Sequence, residues 1–544
     1  MQKKNPHFFV SKLVDGFTSV ASRVDRLIRS VGQKPLTPAL VFTLILLLGI
    51  FARVWQYGTL PPGLNQDEAS IGVEAYDLLH FGVDRNGQSF PVNFISWGNG
   101  MDALYGYVLI PFVFFGLSPM SVRLPSLLAG VLTLPLIYWI GKRSFGRKFG
   151  LLAMFLLAIS PWHILMSRWG INENILPFIL ALGFACLLRS TRENHWFIAA
   201  VIFFGLSLYA YGATYVAVPI LLACTIPVLL ISGRLRLNTL LLGIGIYALL
   251  AVPIVLLVLI NSFDWTTIRL SIFTIPRLPV KARFLTVATT SNTNPFVFIV
   301  RNAWSMLKLL LFDQSDGMLW NVVDPFGYLY SFSFPLAVVG AALLLPLRKT
   351  KNIPEKLLVL AWLLSSLSIG LVQSVNINRL NLAFLPIILC TAFCLAWLGS
   401  QRKIVLTSLM SIYLFSFLAF NYTYHGINYQ SNANEAFFAG LVPALDHARQ
   451  TDNQPICVTD QVNMPYIFVL FSEKPNPATY LDTIQYIDPA ASFRQVRSLG
   501  RYTFGLANCS ADPRTIYVLE DEKPPSNGIH YIETNFTQFH VYTP

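Results

Sequence analysis

Residues 103–117 read ALYGYVLIPFVFFGL, an apolar run of fifteen residues with a proline at position 111. A helix needs about 20 apolar residues to cross the ~30 Å of bilayer hydrocarbon, and shorter runs suit interfacial or re-entrant pieces. Eleven other apolar runs are long enough or nearly so, near 39–57, 121–141, 149–167, 174–189, 196–212, 215–232, 238–260, 328–347, 357–373, 380–398 and 404–421. Whether 103–117 crosses fixes the side on which every later joint falls. Suppose the basic N-terminus (Lys3, Lys4, Lys12, Arg23, Arg26, Arg29, Lys34) is cytoplasmic and the run does not cross. The joints Lys142-Arg143…Arg147-Lys148, Arg189…Arg192, Arg234…Arg236, Arg348-Lys349…Lys351 and Arg402-Lys403 then all lie inside. The basic-poor joints around Gly170, Gly212 and Asn376 lie outside, as the positive-inside rule requires. If the run crosses, the pattern inverts throughout. The sequence therefore reads as a mainly α, polytopic transmembrane helical bundle of about 11 crossings, with 103–117 lying along the interface or re-entering.

Composition agrees. The chain is 54% hydrophobic and 12% charged, whereas soluble domains carry about 25% charged residues. The formal charge of +12 does not indicate nucleic acid, because the basic residues sit in short clusters between apolar runs. Residues 1–37 form a basic cytoplasmic N-terminus without a cleavable signal, the first apolar run being too long for a signal h-region. Residues 38–421 form the transmembrane module, with large outer segments at 58–120 and 261–327. Residues 422–544 read as a small extracytoplasmic α/β domain, with strands suggested at Ile516–Leu519 and His540–Tyr542. No internal repeat of the transporter kind is present. Cys186, Cys224, Cys390 and Cys394 fall in apolar runs as small buried hydrophobes. Cys457 and Cys509 lie in the C-terminal segment, and whether they pair stays open.

The first outer segment begins Pro61-Pro62-Gly63-Leu64-Asn65-Gln66-Asp67-Glu68-Ala69-Ser70. The apolar spacing that follows (Ile71, Val73, Ala75, Tyr76, Leu78, Leu79) is that of an amphipathic helix lying on the membrane. It would hold both carboxylates at headgroup level, where a lipid-linked phosphosugar presents its anomeric carbon and a carboxylate can take a proton from an attacking hydroxyl. Helix capping explains an acidic pair at this position equally well. Arg379 is a lone basic residue in a short outer joint, suited either to grip a phosphate bidentately or to snorkel to headgroups. Arg168 has the same alternatives, and a structural pair with a carboxylate is favoured for it. Asp84-Arg85-Asn86-Gly87 reads first as a turn, with a sugar-binding aspartate as the second reading. Tyr209, Tyr211 and Tyr215 read as an aromatic belt and His163 as a packing residue. The basic residues of the second outer segment (Arg269, Arg277, Lys281, Arg283) read as a membrane-surface segment without a catalytic role.

Three stretches carry a family resemblance: Asn65-Gln66-Asp67-Glu68; Phe115-Gly116-Leu117-Ser118 with Ser121-Val122-Arg123-Leu124-Pro125-Ser126; and Gly141-Lys142-Arg143-Ser144-Phe145-Gly146. Together they resemble the protein O-mannosyltransferase and aminoarabinose (ArnT-like) transferase group of GT-C glycosyltransferases, family 39-like. The resemblance is good over roughly 38–190, patchy to 400 and absent beyond. It implies a GT-C bundle in a bacterial plasma membrane. The implied enzyme moves a hexosyl or pentosyl unit from a polyprenyl-phosphate donor to a protein, lipid or glycan acceptor on the extracytoplasmic face. Asp67 matches the family's catalytic acid, with Glu68 as helper, and Arg123 matches an arginine near the site that would join Arg379 on the donor phosphate. Ser167-Arg168-Trp169-Gly170-Ile171-Asn172-Glu173 resembles a stretch in which an acid follows an arginine by five, here Glu173 where many relatives have aspartate. Asn376-Ile377-Asn378-Arg379-Leu380-Asn381…Pro386 resembles the arginine-then-proline stretch, with Asn381 or Leu380 in the usual aromatic's place. Arg168, Glu173, Asp84 and Asn378 are thus substrate-binding candidates. No cofactor is required by this chemistry, and a divalent cation on the two carboxylates stays open. The rivals are a lipid-linked glycan polymerase or ligase, and a lipid or sugar transporter. A transporter places charges at mid-membrane, whereas these gather at outer helix ends.

Overall fold

The computed structural model describes residues 37–281, 294–346, 352–451, 454–491, 493–510, 512–526 and 528–544. The basic N-terminal residues, Arg283 and the Arg348-Lys349…Lys351 joint lie outside them. Among the described residues, eight helices are long and apolar enough to cross a membrane: Pro119–Phe145, Asn172–Ser190, Thr214–Ile231, Leu237–Ser262, Pro295–Asp313, Ile353–Val372, Asn381–Gln401 and Lys403–Tyr424. Seven coincide with expected crossings. Pro38–Val54, Trp196–Ser207 and Ser333–Leu344 are shorter apolar helices on three more of the expected runs.

Two details depart from the sequence reading. The run expected near 149–167 is two helices, Arg147–Ala158 and Pro161–Met166, because Pro161 has no N–H to continue the first. The break is satisfied from outside: Tyr330 donates to the Ile159 carbonyl (2.8 Å) and Trp162 N–H to the Tyr328 carbonyl (2.9 Å). The second departure is Pro295–Asp313, a span-length helix inside a segment read only as an outer loop. The run at 103–117 forms the helix Leu104–Val113. Its ten residues rise about 15 Å, half the hydrocarbon thickness. It is too short to cross.

The ends of the helices sort as the charge pattern requires. Glu355, buried, accepts from Arg234 Nη1 at 2.8 Å and faces Arg143 Nη1 at 3.7 Å, while Asn352 Nδ2 donates to the Ser144 carbonyl at 3.1 Å. Joints assigned to one side thus meet at one end. The basic-poor joints at 170–173, 211–215 and 373–379 meet instead around a cleft with the first outer segment. That segment holds the helix Gln66–Phe81 and a hairpin of β1 (Asn93–Phe94) and β2 (Met101–Asp102). The hairpin continues into β3 (Ile268–Arg269) and β4 (Thr274–Ile275) through the Val92 N–H on the Thr274 carbonyl, 2.9 Å.

The C-terminal region is α/β. Its strands are β5 (Ile456–Val458), β6 (Gln485–Tyr486), β7 (Val496–Leu499), β8 (Tyr502–Phe504), β9 (Ile516–Leu519), β10 (Ile532–Phe536) and β11 (Phe539–Thr543), in the order β10-β11-β9-β5-β8-β7-β6. β5 runs parallel to both β8 and β9 and the other pairs are antiparallel. Every residue of β5 and β9 is buried, as central parallel strands covered on both faces require. Cys457 and Cys509 form a disulfide. The helix Pro465–Glu473 lies against Gln66–Phe81 at Gly72, where a Cβ would stand 2.9 Å from Val122 Cγ2 and 3.0 Å from Phe471 Cε2. Glycine lets the carboxylate-bearing helix sit between the membrane bundle and the C-terminal domain.

Candidate active site

Asn65 caps the Gln66–Phe81 helix. Its Oδ1 accepts the Asp67 N–H at 3.0 Å, and its own N–H donates to Glu68 Oε2 at 3.1 Å, a reciprocal capping box. Successive helical residues point about 100° apart, so the two acids face different surroundings. Glu68 turns inward. Arg123 Nε donates to its Oε1 and Arg123 Nη2 to its Oε2, both at 2.7 Å, and the Gly170 N–H adds a third bond at 2.8 Å. The remaining Arg123 contacts are the Pro61 carbonyl (2.7 Å) and the Gly63 carbonyl (3.0 Å). Both side chains are out of solvent, at 0% and 1% exposure. The placement of Arg123 does not meet the expectation that it holds phosphate, nor that of Glu68 the expectation of a catalytic helper. Their charges are spent on each other and on pinning Pro61–Gly63, the turn that delivers Asp67.

Arg168 holds the stretch that leads into that turn. It donates to the carbonyls of Arg53 (3.2 Å), Trp55 (2.7 Å), Gln56 (2.9 Å) and Leu60 (2.7 and 3.2 Å). A guanidinium there satisfies orphan carbonyls after the last turn of the first helix. Its partners are carbonyls, not the carboxylate expected.

Asp67 turns outward and lines the cleft, which encloses about 120 Å³. Trp97 Nε1 donates to Asp67 Oδ1 at 3.3 Å. Glu173, in the first turn of the Asn172–Ser190 helix, and Arg379 line the same cleft. Arg379 is half-buried, with its N–H on Asn376 Oδ1 (2.8 Å) and its Nη1 on the Ser374 carbonyl (2.6 Å) and hydroxyl. It has no carboxylate partner among the described residues. Asn378 sits on the same turn without lining the cleft. Of the expected site residues, the fold brings together Asp67, Glu173 and Arg379. It leaves Glu68, Arg123, Arg168, Asp84 and Asn378 outside.

Asp84 takes the turn reading: its Oδ1 accepts the N–H groups of Asn86 (2.9 Å) and Gln88 (2.7 Å). It is buried with Glu74, Asp77 and Arg85. Arg85 Nε meets Glu74 Oε1 at 3.1 Å and its N–H donates to Oε2 at 3.0 Å. Burial, then the neighbouring Glu74, pushes the Asp77 carboxyl up to about 9 and drives Asp84 well above its ordinary value. The Arg85 guanidinium lies 4.6 Å from the Trp97 ring centre. Tyr466 meets Trp97 edge-on at 6.1 Å, the Arg494 N–H reaches the Trp97 carbonyl at 3.1 Å, and the Tyr480 hydroxyl donates to the Arg85 carbonyl at 2.9 Å. The C-terminal domain therefore clamps the residue that touches Asp67.

Sequence reasoning missed Trp97, Asn93 and Asp102. Asp102 Oδ2 accepts the Gly212 N–H at 3.0 Å and its Oδ1 the Tyr215 hydroxyl at 3.3 Å, so Tyr215 has a specific partner besides any belt role. The Gly98-Asn99-Gly100 turn just ahead of an aspartate was the available signal. Among the described residues no three His, Cys, Asp or Glu gather closely enough to hold a metal ion.

Residues 43–269 match the family described as dolichyl-phosphate-mannose-protein mannosyltransferase. Two proteins of Bacillus subtilis (strain 168), whose names assign them provisionally to the mannosyltransferases, are similar over shorter stretches. YycA is 34% identical over 95 residues, 17% of this chain and 14% of its own length. YkcB is 27% identical over 166 residues, 30% of this chain and 22% of its own length. The chain thus matches less than a quarter of either relative's length. Among solved structures, ArnT of Cupriavidus metallidurans bound to undecaprenyl phosphate aligns with a TM-score of 0.54 at 11% identity, covering 93% of this chain and 97% of that one. The resemblance carried by the acidic loop and the arginine-proline stretch is thus found again: over residues 43–269 the chain matches the mannosyltransferase family, on a GT-C fold shared with ArnT.

Proposed function

We propose that this chain is a membrane glycosyltransferase that moves a monosaccharide from a polyprenyl-phosphate carrier to an acceptor on the extracytoplasmic face. The observation that carries this reading is one cleft lined by both Asp67 and Arg379, delivered by segments some three hundred residues apart in the chain that meet at one end of the bundle. It has an ionisable acceptor for a proton and a cation for a departing phosphate. The matched family's description names a polyprenol-class phosphate-sugar donor, and the ArnT structure holds undecaprenyl phosphate. A disulfide between Cys457 and Cys509 supports an oxidising, extracytoplasmic setting for the C-terminal domain.

The steps use this chain's own groups. The acceptor hydroxyl or amine enters beside Asp67. One Asp67 oxygen takes its proton as the acceptor's lone pair forms a bond to the anomeric carbon. The carbon–oxygen bond to the phosphate breaks, and the lipid phosphate leaves with that electron pair toward Arg379. A single displacement inverts the anomeric centre. Glu173 faces the same space and bears on the acceptor or the sugar.

The test is to incubate purified protein with a panel of radiolabelled polyprenyl-phosphate monosaccharides, the mannosyl donor first, and to follow release of free lipid phosphate. Asp67→Asn should abolish release while the protein stays folded in the membrane fraction. Release unaffected by that substitution removes Asp67 from the mechanism. A panel giving no release at all overturns the reaction.

A further inference from the structure

Two asparagines lining the cleft, Asn93 and Asn172, carry amide oxygens without a hydrogen-bond donor among the described residues. Asn172 Nδ2 donates to the Asp102 backbone carbonyl at 2.6 Å, and Asn93 Nδ2 donates to Asp102 Oδ1 at 3.4 Å. Each amide therefore spends its N–H side on Asp102 and presents its carbonyl oxygen elsewhere. Among the described residues, Asn172 Oδ1 and Asn93 Oδ1 are both buried without a partner, on residues 5% and 3% exposed. Both residues line the cleft with Asp67. The arrangement is built, not incidental. Asp102 is itself held by the Gly212 N–H and the Tyr215 hydroxyl, and β1–β2 registers Asn93 opposite Asp102. A Cβ on Gly100, at φ +93°, would stand 2.7 Å from Asn93 Oδ1, so only glycine admits that amide.

A buried amide oxygen left without a donor forfeits the hydrogen bonds it made to water, a loss that a bound molecule carrying O–H groups would relieve. We propose that Asn172 and Asn93 each read one hydroxyl of the donor's sugar ring and that Asp102 is the positioning residue that orients both amides. This rests on the glycosyl-transfer reading above and names the chemistry that the site selects.

The experiment uses full-length protein and whichever polyprenyl-phosphate sugar the wild type turns over, alongside monodeoxy analogues of that donor. Wild type should lose about 10- to 100-fold in kcat/KM when a hydroxyl it reads is deleted. Asn172→Ala should be slower on the parent donor yet nearly indifferent to deletion of one hydroxyl, retaining wild-type discrimination at the others. Asn93→Ala should show the same loss at a different position. Each readout is a ratio within one protein, so a general loss of folded enzyme cancels. Wild-type selectivity against every analogue in both alanine variants overturns the subsite while leaving the transfer reaction standing. Absence of turnover with any polyprenyl-phosphate sugar overturns the reaction and the subsite together.

Discussion

Replacing Trp97 by phenylalanine removes one N–H from Asp67 and little else. The bond runs from Nε1 to Oδ1 at 3.3 Å, longer than the ~2.7–2.9 Å of strong charge-assisted bonds. Hydrogen bonds to charged groups contribute about 1.5–3 kcal/mol, and the length places this one at about the lower limit. A donor stabilises the ionised carboxylate, so removing it strengthens proton binding and raises the pKa. At 1.36 kcal/mol per unit, about 1.5 kcal/mol corresponds to a rise of roughly one unit. A base must be deprotonated to act, so the acid limb of the kcat/KM profile should move to higher pH by about one unit. Below that limb the variant should be about tenfold slower. Phenylalanine keeps a ring under Arg85, now 4.6 Å from the indole centre, and against Tyr466, so the clamp persists. The assay is initial-rate lipid-phosphate release across roughly pH 4–8, with wild type in parallel. A rate that falls equally at all pH values with the limb in place refutes the reasoning, and assigns Trp97 to packing rather than to tuning the base.

Arg123→Ala should destabilise the protein by about 3–5 kcal/mol, because it strands the buried Glu68 carboxylate; thermal unfolding in detergent checks this, and an unchanged midpoint with weakened donor binding would return Arg123 to the phosphate. Arg379→Ala should lower kcat/KM for the lipid-phosphate sugar by about 10- to 100-fold, with lysine restoring only part because it lacks the planar fork. Free polyprenyl phosphate should also inhibit that variant less, and equal inhibition would remove Arg379 from the phosphate site. The Asp77 carboxyl, held up to about 9 by burial and then by Glu74, keeps its proton in the folded state where the unfolded chain has lost it. Its contribution to stability is fully present below the ordinary carboxylate range and declines as pH rises toward about 9. Asp77→Asn, uncharged at all pH values, should flatten that decline in melting temperature, and a slope identical to wild type would place the titrating group elsewhere.

That alternate joints gather at one end of the bundle was legible because their charge pattern is a one-dimensional code. Arg143 and Arg234 recur at alternate joints, and the fold gathers them on Glu355. Arg379 was legible for the converse reason, a cation standing where that code disfavours one. The acidic pair was not, because catalyst and cap are alternatives only if both acids share a role. Residues 67 and 68 differ by one helical step, and the phase of a helix is set by what packs on it, here Arg123 from the next long helix and Gly170 from a later joint. No local pattern carries that phase. The helix break at Pro161 was visible as a proline but not as a break, since what makes it tolerable are Tyr328 and Tyr330, far along the chain. Asp102 and Trp97 escaped for a related reason: each acts through partners that arrive from elsewhere, Gly212 and Tyr215 for one, Arg85 and the C-terminal Tyr466 for the other. The C-terminal domain had no resemblance to lend it a role. Its contact with Asp67 runs through the Trp97 indole ring, on which Tyr466 and the Arg494 N–H converge. A domain coupled to chemistry by shape rather than by reactive groups is what a motif-based reading is least equipped to see.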